Sequence, residues 1–401
     1  MTATRIAYIL ARYPSRSETF IHREIEAVRR HGIEVDVYAL KVGEGSGTVG
    51  EATRRGVISL TEKCTSLLWA AARPAKLARA VAAITREGIN DPIRLVKSLR
   101  NLAVSAAFAR RIKKSGARGI HAHFSDEPAT IARTISFLIT IPYTFSIHAH
   151  DIFVDKPGLS DRIRYARAVA ACTQAAADRA KELAAPELRG KIHLVRHGIE
   201  QLPGEDQPEA DREPVVLMVG RLVEKKGVPV LLRAVKQLLD SGREVRCVVL
   251  GEGEERATIE HAIADLGIED AVELPGWSTP TDARRWMARA AVLAVPSLVT
   301  ASGDRDGLPN VILEAAKARL PIVASDVGGI GEFVRNEITG LLIRSEDTDG
   351  LTTAIDRIMD DQGLCRRLTE AACEKVESEY DAYTNAGRLI EAMEWCKEGC
   401  T

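Results

Sequence analysis

A short basic loop follows the first apolar run in the second half of the chain. The run Val215–Val219 ends at Gly220, and a helical pattern begins close to Gly227. Arg221 and Lys226 therefore lie on a strand-to-helix loop, beside the N-terminus of that helix. Cationic side chains and free backbone amides at such a point bind phosphate groups. The loop is a candidate diphosphate site, and a solvated basic loop without a ligand is the alternative.

A second candidate segment begins at Asp306 and runs into another helical pattern. Pro309 suits the first position of a helix, Asp306 suits its N-terminal cap, and Gly307 allows close backbone approach. Glu314 falls about a turn and a half inside this helix, in an otherwise apolar stretch. An unpaired carboxylate there would be costly, so a polar partner such as a ribose diol is expected. A surface carboxylate that complements the helix dipole is the alternative.

Histidines gather at the ends of two apolar strands in the first half. His121 and His123 close the strand predicted at 119–123. His148 follows the next strand, with His150 and Asp151 directly after it. These side chains could bind a metal, but side chains alternate along strands and no regular ligand spacing accompanies them. Hydrogen-bonded structural histidines, or a catalytic His148 that contacts a sugar, are the other interpretations.

A partial glycine motif follows a third apolar strand. Gly251 and Gly253 match the start of G-x-G-x-x-G, but the third glycine is missing and the neighbouring residues are acidic. Acidic side chains disfavour a pyrophosphate at this point. The motif is therefore a weak indication of dinucleotide binding.

The composition is that of a globular protein with more than one core. The chain has 401 residues, of which 45% are apolar and 28% charged, and this length predicts two domains of about 200 residues each. No apolar run reaches the roughly 18 residues of a membrane-spanning helix, and the apolar stretch near the N-terminus is too short for a signal peptide. Seven cysteines are scattered without a CxxC pair. We therefore expect free thiols in the cytoplasm and no metal site.

Charge is distributed unevenly along the chain. Residues 1–200 contain 32 Lys and Arg against 19 Asp and Glu. Residues 201–401 contain 23 Lys and Arg against 37 Asp and Glu, so the first half is basic and the second half is acidic. Within residues 63–118 there are 13 basic and two acidic residues, with apolar residues such as Trp69 between them. Amphipathic basic helices bind anionic lipid surfaces, so this segment predicts a peripheral location on the inner face of the membrane. Ordinary surface helices that pack on the first sheet are the alternative.

Short apolar runs alternate with helical patterns through both halves, and two long helices are predicted at 64–87 and 92–115. This alternation predicts an α/β fold of two Rossmann-like domains, each a doubly wound parallel sheet, facing a central cleft. The predicted segments are the N-terminal domain at 1–200, the linker at 201–213, the C-terminal domain at 214–378, and a helix at 379–401 that packs back on the first domain.

Taken in order, these motifs resemble glycosyltransferase family 4, a group of retaining enzymes with the GT-B fold. In the second half the resemblance rests on the motifs at 220–226, 250–253, 274–276 and 306–314. In the first half it indicates the exopolysaccharide and colanic acid branch, through the motifs at 17–20, 23–25, 121–124 and 148–153. The ordered set covers nearly the whole chain.

The resemblance implies a role for each candidate residue. Arg221 and Lys226 would bind the donor diphosphate, and Glu314 would bind the nucleotide ribose. Asp306 would contact hydroxyl groups of the donor sugar, and His148 would contact the transferring sugar. The expected catalytic set is His148, Asp306, Arg221 and Lys226. The other expected donor-binding residues are Gly220, Gly251, Gly276, Gly307, Leu308, Pro309, Asn310 and Val311. The expected acceptor-side residues are Ser17, Glu18, Thr19, His123 and Asp151.

Three positions depart from the family pattern. Asp306 is one methylene shorter than the glutamate usual there, so the sugar contact could shift or need a neighbour such as Asp304. Arg319 replaces a glycine that commonly follows the motif helix, which predicts a different helix end. The segment Arg12–Thr19 lacks a Gly-Gly pair that many relatives use near the phosphate.

The implied reaction moves a hexose-type sugar from a nucleotide-diphosphate sugar to a glycan or lipid-linked acceptor in polysaccharide biosynthesis. We expect it to need no metal and no other cofactor, because no Asp-rich metal motif is evident, and we expect no nucleic acid partner. A nucleotide-sugar 2-epimerase and a sugar-nucleotide-binding subunit without activity are alternatives. A dinucleotide-dependent oxidoreductase is a third, disfavoured because no complete glycine motif follows the first strand.

Overall fold

The computed structural model describes the chain in six stretches: 4–15, 18–43, 58–89, 91–154, 158–200 and 212–393. Two compact units make up the chain. Unit 1 comprises Met1–Gly198 and Ala382–Thr401, and unit 2 comprises Ile199–Asp381. The domain boundaries predicted at residues 200 and 378 lie within three residues of the boundaries between these units, which follow Gly198 and Asp381. Residues 201–211 of the predicted linker lie outside the described stretches, and Glu213 already belongs to a strand.

Unit 1 alternates strands and helices around one parallel sheet. Its elements are β1 (Arg5–Tyr13), α1 (Thr19–Arg30), β2 (Glu34–Val42), α2 (Leu60–Ala71), α3 (Pro74–Gly88), α4 (Pro92–Ser115), β3 (Gly119–His123), α5 (Glu127–Ile139), β4 (Tyr143–Ile147), α6 (Ala149–Phe153), α7 (Leu159–Tyr165), β5 (Val169–Ala171), α8 (Gln174–Leu183) and β6 (Ile192–Leu194). The sheet order is β2-β1-β3-β4-β5-β6, and every pairing is parallel. The carboxyl ends of all six strands therefore meet at one edge, where ligands of such sheets bind.

The basic segment forms three helices, α2, α3 and α4, and not the two that were predicted. Pro74 is the first residue of α3, and two residues separate it from Ala71, the last residue of α2. Proline has no amide hydrogen to donate and clashes with the preceding turn, so one helix ends before it and another begins with it. None of the described helices is long and apolar enough to cross a membrane.

A buried ion cluster joins α3 to α5 and α7. The Glu87 carboxylate pairs with Arg133 at 2.6 Å and also with Arg162. Both arginines are fully buried, and the Glu87 side chain is 2% exposed. Arg94 approaches the same carboxylate at 3.4 Å. Glu87 is therefore a structural counterion, although in the sequence it is one of only two acidic residues in the basic segment.

The last described helix, α16 (Ala382–Ala392), belongs to unit 1. Ala386 and Leu389 pack with Ile25 in the apolar cluster beneath α1. Tyr383 stacks on His31 at the end of α1, with ring centroids 3.8 Å apart and planes 10° from parallel. The chain thus returns from unit 2 to cover α1.

Unit 2 has the same alternation. Its elements are β7 (Glu213–Val219), α9 (Val228–Asp240), β8 (Arg246–Leu250), α10 (Arg256–Leu266), β9 (Val272–Gly276), α11 (Pro280–Arg289), β10 (Ala290–Val295), α12 (Asn310–Lys317), β11 (Ile322–Ser325), α13 (Ile330–Phe333), β12 (Leu341–Ile343), α14 (Thr348–Asp360) and α15 (Gln362–Glu379). The sheet order is β12-β11-β10-β7-β8-β9, all parallel. The order reverses between β10 and β7, as in doubly wound nucleotide-binding folds. The predicted fold class is confirmed.

Candidate functional site

The loop after β7 turns sharply before α9. Glu224–Lys226 form a short 3-10 turn, and Gly227 has a φ of 65°, in the left-handed region. A Cβ at Gly227 would lie 2.0 Å from the carbonyl oxygen of Pro296, so glycine is required there. Arg221 is exposed on this loop, at the carboxyl edge of the sheet.

Backbone hydrogen bonds join the loops after β7, β8 and β9. The Gly220 amide donates to the Leu250 carbonyl at 2.9 Å, and the Gly251 amide donates to the Gly276 carbonyl at 2.9 Å. Gly251 has a φ of 150°, and a Cβ there would lie 1.8 Å from the Gly220 carbonyl oxygen. The structure thus brings the predicted residues Gly220, Gly251 and Gly276 together, and close loop packing explains the glycine at 251.

Lys226 and Asp306, predicted from separate motifs, form an ion pair. Lys226 Nζ donates to Asp306 Oδ2 at 2.8 Å, and the Ser297 hydroxyl donates to the same oxygen at 2.7 Å. The two charged side chains are 14% and 10% exposed. Burial raises the pKa of the Asp306 carboxyl, but Lys226 and Ser297 outweigh burial and hold this pKa below its usual value. Asp306 is therefore an ionised counterion of Lys226.

This pairing corrects the prediction that Asp306 caps the motif helix. Helix α12 begins at Asn310, with Pro309 in the N-cap position, and no described side chain caps it. The Asp306 side chain turns to Lys226 because the lysine charge lies within hydrogen-bond distance. The first amides of α12 are consequently not covered by the predicted aspartate.

Backbone contacts hold the segment before α12 in place. The Gly329 amide donates to the Gly307 carbonyl at 2.9 Å. A Cβ at Gly328 would lie 2.0 Å from the Asp306 carbonyl oxygen, so the two loops touch through their main chains. Leu308 is half-buried and packs on the apolar core of unit 2.

Glu314 is half-buried at the fifth position of α12, and Val311, one turn earlier, is buried in the core. At the other end of α12, Arg319 has a φ of 52°. The Leu320 amide closes the turn by donating to the Ala315 carbonyl at 2.9 Å. Arg319 thus adopts the left-handed conformation that glycine favours at helix ends, at a cost of about 1 kcal/mol.

A second lysine–aspartate pair lies beside the first and was not predicted. Lys225 Nζ lies 3.1 Å from Asp304 Oδ1, with the two side chains 11% and 24% exposed. The Leu298 amide also donates to the Lys225 carbonyl at 2.9 Å. Asp304 is therefore paired with Lys225, just as Asp306 is paired with Lys226. These two ion pairs hold the 3-10 turn against the loop after β10.

A pocket of about 160 Å³ opens beside the 3-10 turn. Its apolar wall is formed by valines, Leu298 and Ile259. Its charged lining consists of Arg233 and the three carboxylates Glu224, Glu255 and Glu346. The charged lining of this pocket is therefore predominantly acidic, and carboxylates repel phosphate at neutral pH.

In unit 1, four side chains form a hydrogen-bonded row that we call the imidazole chain. Glu24 Oε1 lies 3.0 Å from His123 Nε2, and His123 Nδ1 lies 3.3 Å from His148 Nε2. His148 Nδ1 in turn lies 3.3 Å from His197 Nε2. The Tyr8 hydroxyl also donates to Glu24 Oε1, at 3.0 Å. The predicted residues His123 and His148 are thus joined to Glu24 and His197, which were not predicted as site residues.

The imidazole chain is anionic at one end. Burial raises the pKa of Glu24, but the neighbouring histidines, His123 above all, outweigh burial and lower it to about 2. Burial lowers the pKa of His148 well below its usual value and that of His197 to about 4. At neutral pH, Glu24 is therefore ionised, whereas His148 and His197 are uncharged.

His121 is a structural histidine. It is fully buried, its Nδ1 lies 2.8 Å from the Thr144 hydroxyl, and its Nε2 lies 3.0 Å from the Ser146 hydroxyl. Burial lowers its pKa to about 3. Both ring nitrogens are occupied, which explains this histidine without a ligand.

The predicted acceptor-side residues have different positions. Asp151 is buried, and its Oδ2 accepts a hydrogen bond of 2.9 Å from the His148 amide at the start of α6. Asp151 thus positions the backbone beside the imidazole chain. Glu18 precedes α1, and Thr19 is its first residue, both half-buried at the carboxyl end of β1. Ser17 lies outside the described residues.

Two groups of three side chains lie close enough to hold an ion. In each group the ligand atoms are within 4.8 Å of one another; the groups are Glu24, His121 and His123, and His148, Cys172 and His197. Most of the histidine nitrogens in them already have hydrogen-bond partners at 2.8–3.3 Å. A metal would have to displace those bonds, and metal independence stays a prediction.

The sequence and the fold of this chain are similar to those of known glycosyltransferases. Residues 204–375 match the family model described as glycosyl transferases group 1. WcaL of Escherichia coli (strain K12), a glycosyltransferase named for colanic acid biosynthesis, is 26% identical over 398 residues, 94% of this chain and 96% of that protein. The amylovoran biosynthesis glycosyltransferase AmsK of Erwinia amylovora is 32% identical over 206 residues, 51% of each chain.

Solved structures share the fold at low identity. HepE of Anabaena, crystallised with UDP, has a TM-score of 0.71 at 16% identity and covers 98% of this chain and 99% of that one. Sucrose-phosphate synthase from Thermosynechococcus elongatus has a TM-score of 0.68 at 17% identity and covers 98% of each. Family match, relatives and architecture agree with the resemblance seen in the motifs. Residues 204–375 carry a group 1 glycosyl transferase domain, and the chain has the GT-B fold of the solved glycosyltransferases it resembles.

Proposed function

We propose that this enzyme transfers a hexose-type sugar from a nucleoside-diphosphate sugar to a glycan or lipid-linked acceptor in exopolysaccharide biosynthesis, with retention of the anomeric configuration. One observation carries the donor assignment: the loops at the carboxyl edge of unit 2 gather Arg221, Lys226 and the start of α12. WcaL and AmsK are named for the assembly of colanic acid and amylovoran. HepE has been crystallised with UDP and with UDP-glucose.

The charges at this edge match the chemistry of the leaving group. When the sugar–phosphate bond breaks, negative charge develops on the departing diphosphate, and preorganised cations stabilise that charge. Arg221 and Lys226 supply them. For retention, the acceptor hydroxyl attacks from the face that the diphosphate leaves, and a phosphate oxygen takes its proton. Lys226 has a single ammonium group for two anions, the Asp306 carboxylate and the diphosphate. When the donor binds, Lys226 must therefore either leave Asp306 or contact both anions at once.

A binding measurement tests the donor assignment. We expect UDP-, GDP-, ADP- or TDP-sugars to raise the melting temperature of the purified enzyme, because a ligand bound by the native state alone stabilises it. The shift should persist in EDTA, since two cationic side chains and helix amides replace a metal. Absence of a shift with all four donors, or a shift that requires a divalent ion, would contradict the assignment.

Asp306 and Glu314 should have separable roles. Glu314→Gln should weaken binding of the free nucleoside diphosphate by about 1.5–3 kcal/mol, because a charged hydrogen bond to the ribose is lost. Asp306→Asn removes the counterion of Lys226, so nucleotide binding should persist while sugar transfer falls. Calorimetric titration with UDP and GDP, beside initial transfer rates, measures both. If the two variants lost nucleotide affinity equally, the division of roles would be wrong.

We also propose that unit 1 lies on an anionic membrane surface through α2 and α4. In α4, Ile93 is 84% exposed and Val96 59% exposed, and Lys97 and Arg100 are on the same helix face because the spacing is three to four residues. In α2, Leu60 and Leu68 are 77% and 72% exposed. Exposed apolar residues beside basic ones are what interfacial binding requires. This surface would bring a lipid-linked acceptor to the enzyme at the cytoplasmic face.

Liposome flotation tests the membrane surface. We expect binding to anionic vesicles that weakens with salt, with about 1 kcal/mol for each engaged Lys or Arg. The variant Leu68→Asn/Ile93→Asn should bind less, because its apolar anchors are lost. The matched control is Ile338→Asn in unit 2, where Ile338 is 55% exposed and should not matter. If the wild-type protein did not float with anionic vesicles at low salt, this result would contradict the proposal.

A further inference from the structure

Three adjacent strands of unit 1 are each followed by a residue that can bind a metal ion. His148 follows β4, Cys172 follows β5, and His197 lies three residues after β6. In the sheet, Ile147 of β4 pairs in parallel with Ala171 of β5. The register therefore places the next residues of these two strands, His148 and Cys172, side by side at the carboxyl edge. Strand β6 is the other neighbour of β5, which brings His197 to the same edge.

The three side chains converge on a space of the size that one ion needs. One ligand atom from each, two imidazole nitrogens and the thiol sulfur, lies within 4.8 Å of the other two. Two nitrogens bound to one tetrahedral zinc at about 2.0–2.1 Å are roughly 3.3 Å apart. The observed separation of His148 Nδ1 and His197 Nε2 is also 3.3 Å. With a zinc–sulfur bond of about 2.3 Å, Cys172 has to approach by roughly 1 Å at most, which rotation about its Cα–Cβ bond can supply.

An ion can reach this group of ligands from solvent. Cys172 and His197 are half-buried, and His148 is 8% exposed. The other group of possible ligands differs, because His121 and His123 are fully buried and both nitrogens of His121 are bonded to hydroxyl groups of β4. At the exposed group, the ion takes the place of the proton between His148 Nδ1 and His197 Nε2, whichever of the two nitrogens carries it.

The types of ligand favour one class of ion. A thiolate with two imidazoles suits Zn²⁺ and similar soft ions, whereas Mg²⁺ and Ca²⁺ prefer oxygen ligands. Cys172 is a thiol and not part of a disulfide, and its proton is released to water when the sulfur binds a metal. His123 lies 3.3 Å from the other ring nitrogen of His148 and orients that imidazole. Three protein ligands leave the fourth tetrahedral position to water.

We propose that His148, Cys172 and His197 bind one Zn²⁺ ion, and that zinc bound there inhibits sugar transfer. The inhibition rests on the proposed function and on the role expected for His148, which is to contact the transferring sugar. Zinc would take His148 Nδ1 and hold the imidazole in one position, and the water on the fourth position would occupy space beside it. Sugar transfer itself is expected to need no metal, so zinc acts here as an inhibitor and not as a cofactor.

Titration with metal ions tests the site without any turnover. The enzyme would be treated with EDTA, separated from the chelator by gel filtration, and titrated with Co²⁺ and then with Zn²⁺. We expect one Co²⁺ per chain and a sulfur-to-cobalt charge-transfer absorption in the near ultraviolet, which Zn²⁺ should remove by displacing the cobalt. Cys172→Ser should lose this absorption. Its zinc affinity should fall by at least roughly 10- to 100-fold, the loss that follows removal of an outer-shell partner alone.

Matched variants separate this site from other thiols and imidazoles. Cys64→Ser should bind cobalt like the wild type, since Cys64 is exposed on α2. His197→Ala should lose zinc affinity as Cys172→Ser does, and it covers the case in which Cys172→Ser does not fold. His193→Ala is its control, because His193 is exposed on β6. A wild-type enzyme without the sulfur–cobalt absorption, or wild-type zinc affinity in a folded site variant, would overturn the proposal.

Transfer rates test the inhibition. The rate of each protein in a slight excess of zinc would be divided by the rate of the same protein in EDTA. We expect zinc to remove most of the wild-type rate, and Cys172→Ser to keep most of its own rate. Zinc that fills the site but leaves the wild-type rate unchanged would contradict the inhibition. Failure of the proposed function appears separately, as wild-type enzyme that transfers no sugar in EDTA.

Discussion

Replacing Glu87 with Gln should lower the free energy of unfolding of unit 1 by about 3–5 kcal/mol. The substitution removes the charge that compensates Arg133 and Arg162, both of which are fully buried. A guanidinium group left without its anion in a low-dielectric interior keeps its desolvation penalty and loses the attraction that offset it. Differential scanning calorimetry should show a transition at lower temperature in the variant.

Glu182→Gln is the matched control in the same unit. Glu182 pairs with Arg179 on the surface of α8, with side chains 65% and 46% exposed. Exposed pairs contribute at most about 1 kcal/mol, so this variant should melt close to the wild type. Equal melting temperatures for the Glu87 and Glu182 variants would show that the buried cluster is not a structural counterion site.

Replacing Lys226 with Ala should reduce donor affinity by about 1.5–3 kcal/mol, or roughly 10- to 150-fold. The Lys226 ammonium group is a mostly buried cation on the loop after β7, and its loss removes the charge-assisted contact to the diphosphate that we propose. The variant also leaves Asp306 buried with Ser297 but without its lysine. Isothermal titration with nucleoside diphosphates and initial transfer rates measure the loss.

Two further variants separate binding from stability. Lys226→Ala/Asp306→Asn should recover thermal stability, because no uncompensated carboxylate remains, but it should not recover donor binding. Lys236→Ala on the surface of α9 is the matched control, since the Lys236 side chain is 35% exposed and pairs with Asp240. Donor affinity like that of the wild type in Lys226→Ala would contradict the phosphate assignment.

The fold could be predicted because its signal is local. Apolar runs bounded by glycine and charged residues gave β3 at Gly119–His123 and α9 at Val228–Asp240 without error. The parallel arrangement follows from the alternation of strands and helices. The short helices α6 and α7 were missed, because five to seven residues do not establish a helical period. The break between α2 and α3 is marked in the sequence by Pro74, although the prediction had one helix across it.

For the candidate site, the sequence predicted which loops carry functional residues but not which side chains contact one another. Its motifs identified Arg221, Lys226, Asp306 and Glu314, but not the partners that the fold would give them. Lys226 and Asp306 are 80 residues apart, and Glu24 and His123 are 99 apart. Contacts over such separations depend on strand order, which periodicity alone does not determine. His197 is a single histidine after a three-residue strand, and only its neighbours in space distinguish it.

Transfer of labelled sugar from a nucleotide donor tests the central claim most directly. The purified enzyme would be mixed with radiolabelled UDP-, GDP-, ADP- and TDP-sugars, together with methyl glycosides and a bacterial lipid extract as acceptors. We expect label to enter an acceptor with at least one donor, and the Lys226→Ala variant to lose this activity roughly 10- to 150-fold. Release of free sugar and nucleotide alone, or recovery of a 2-epimer of the donor in place of a glycoside, would contradict the account.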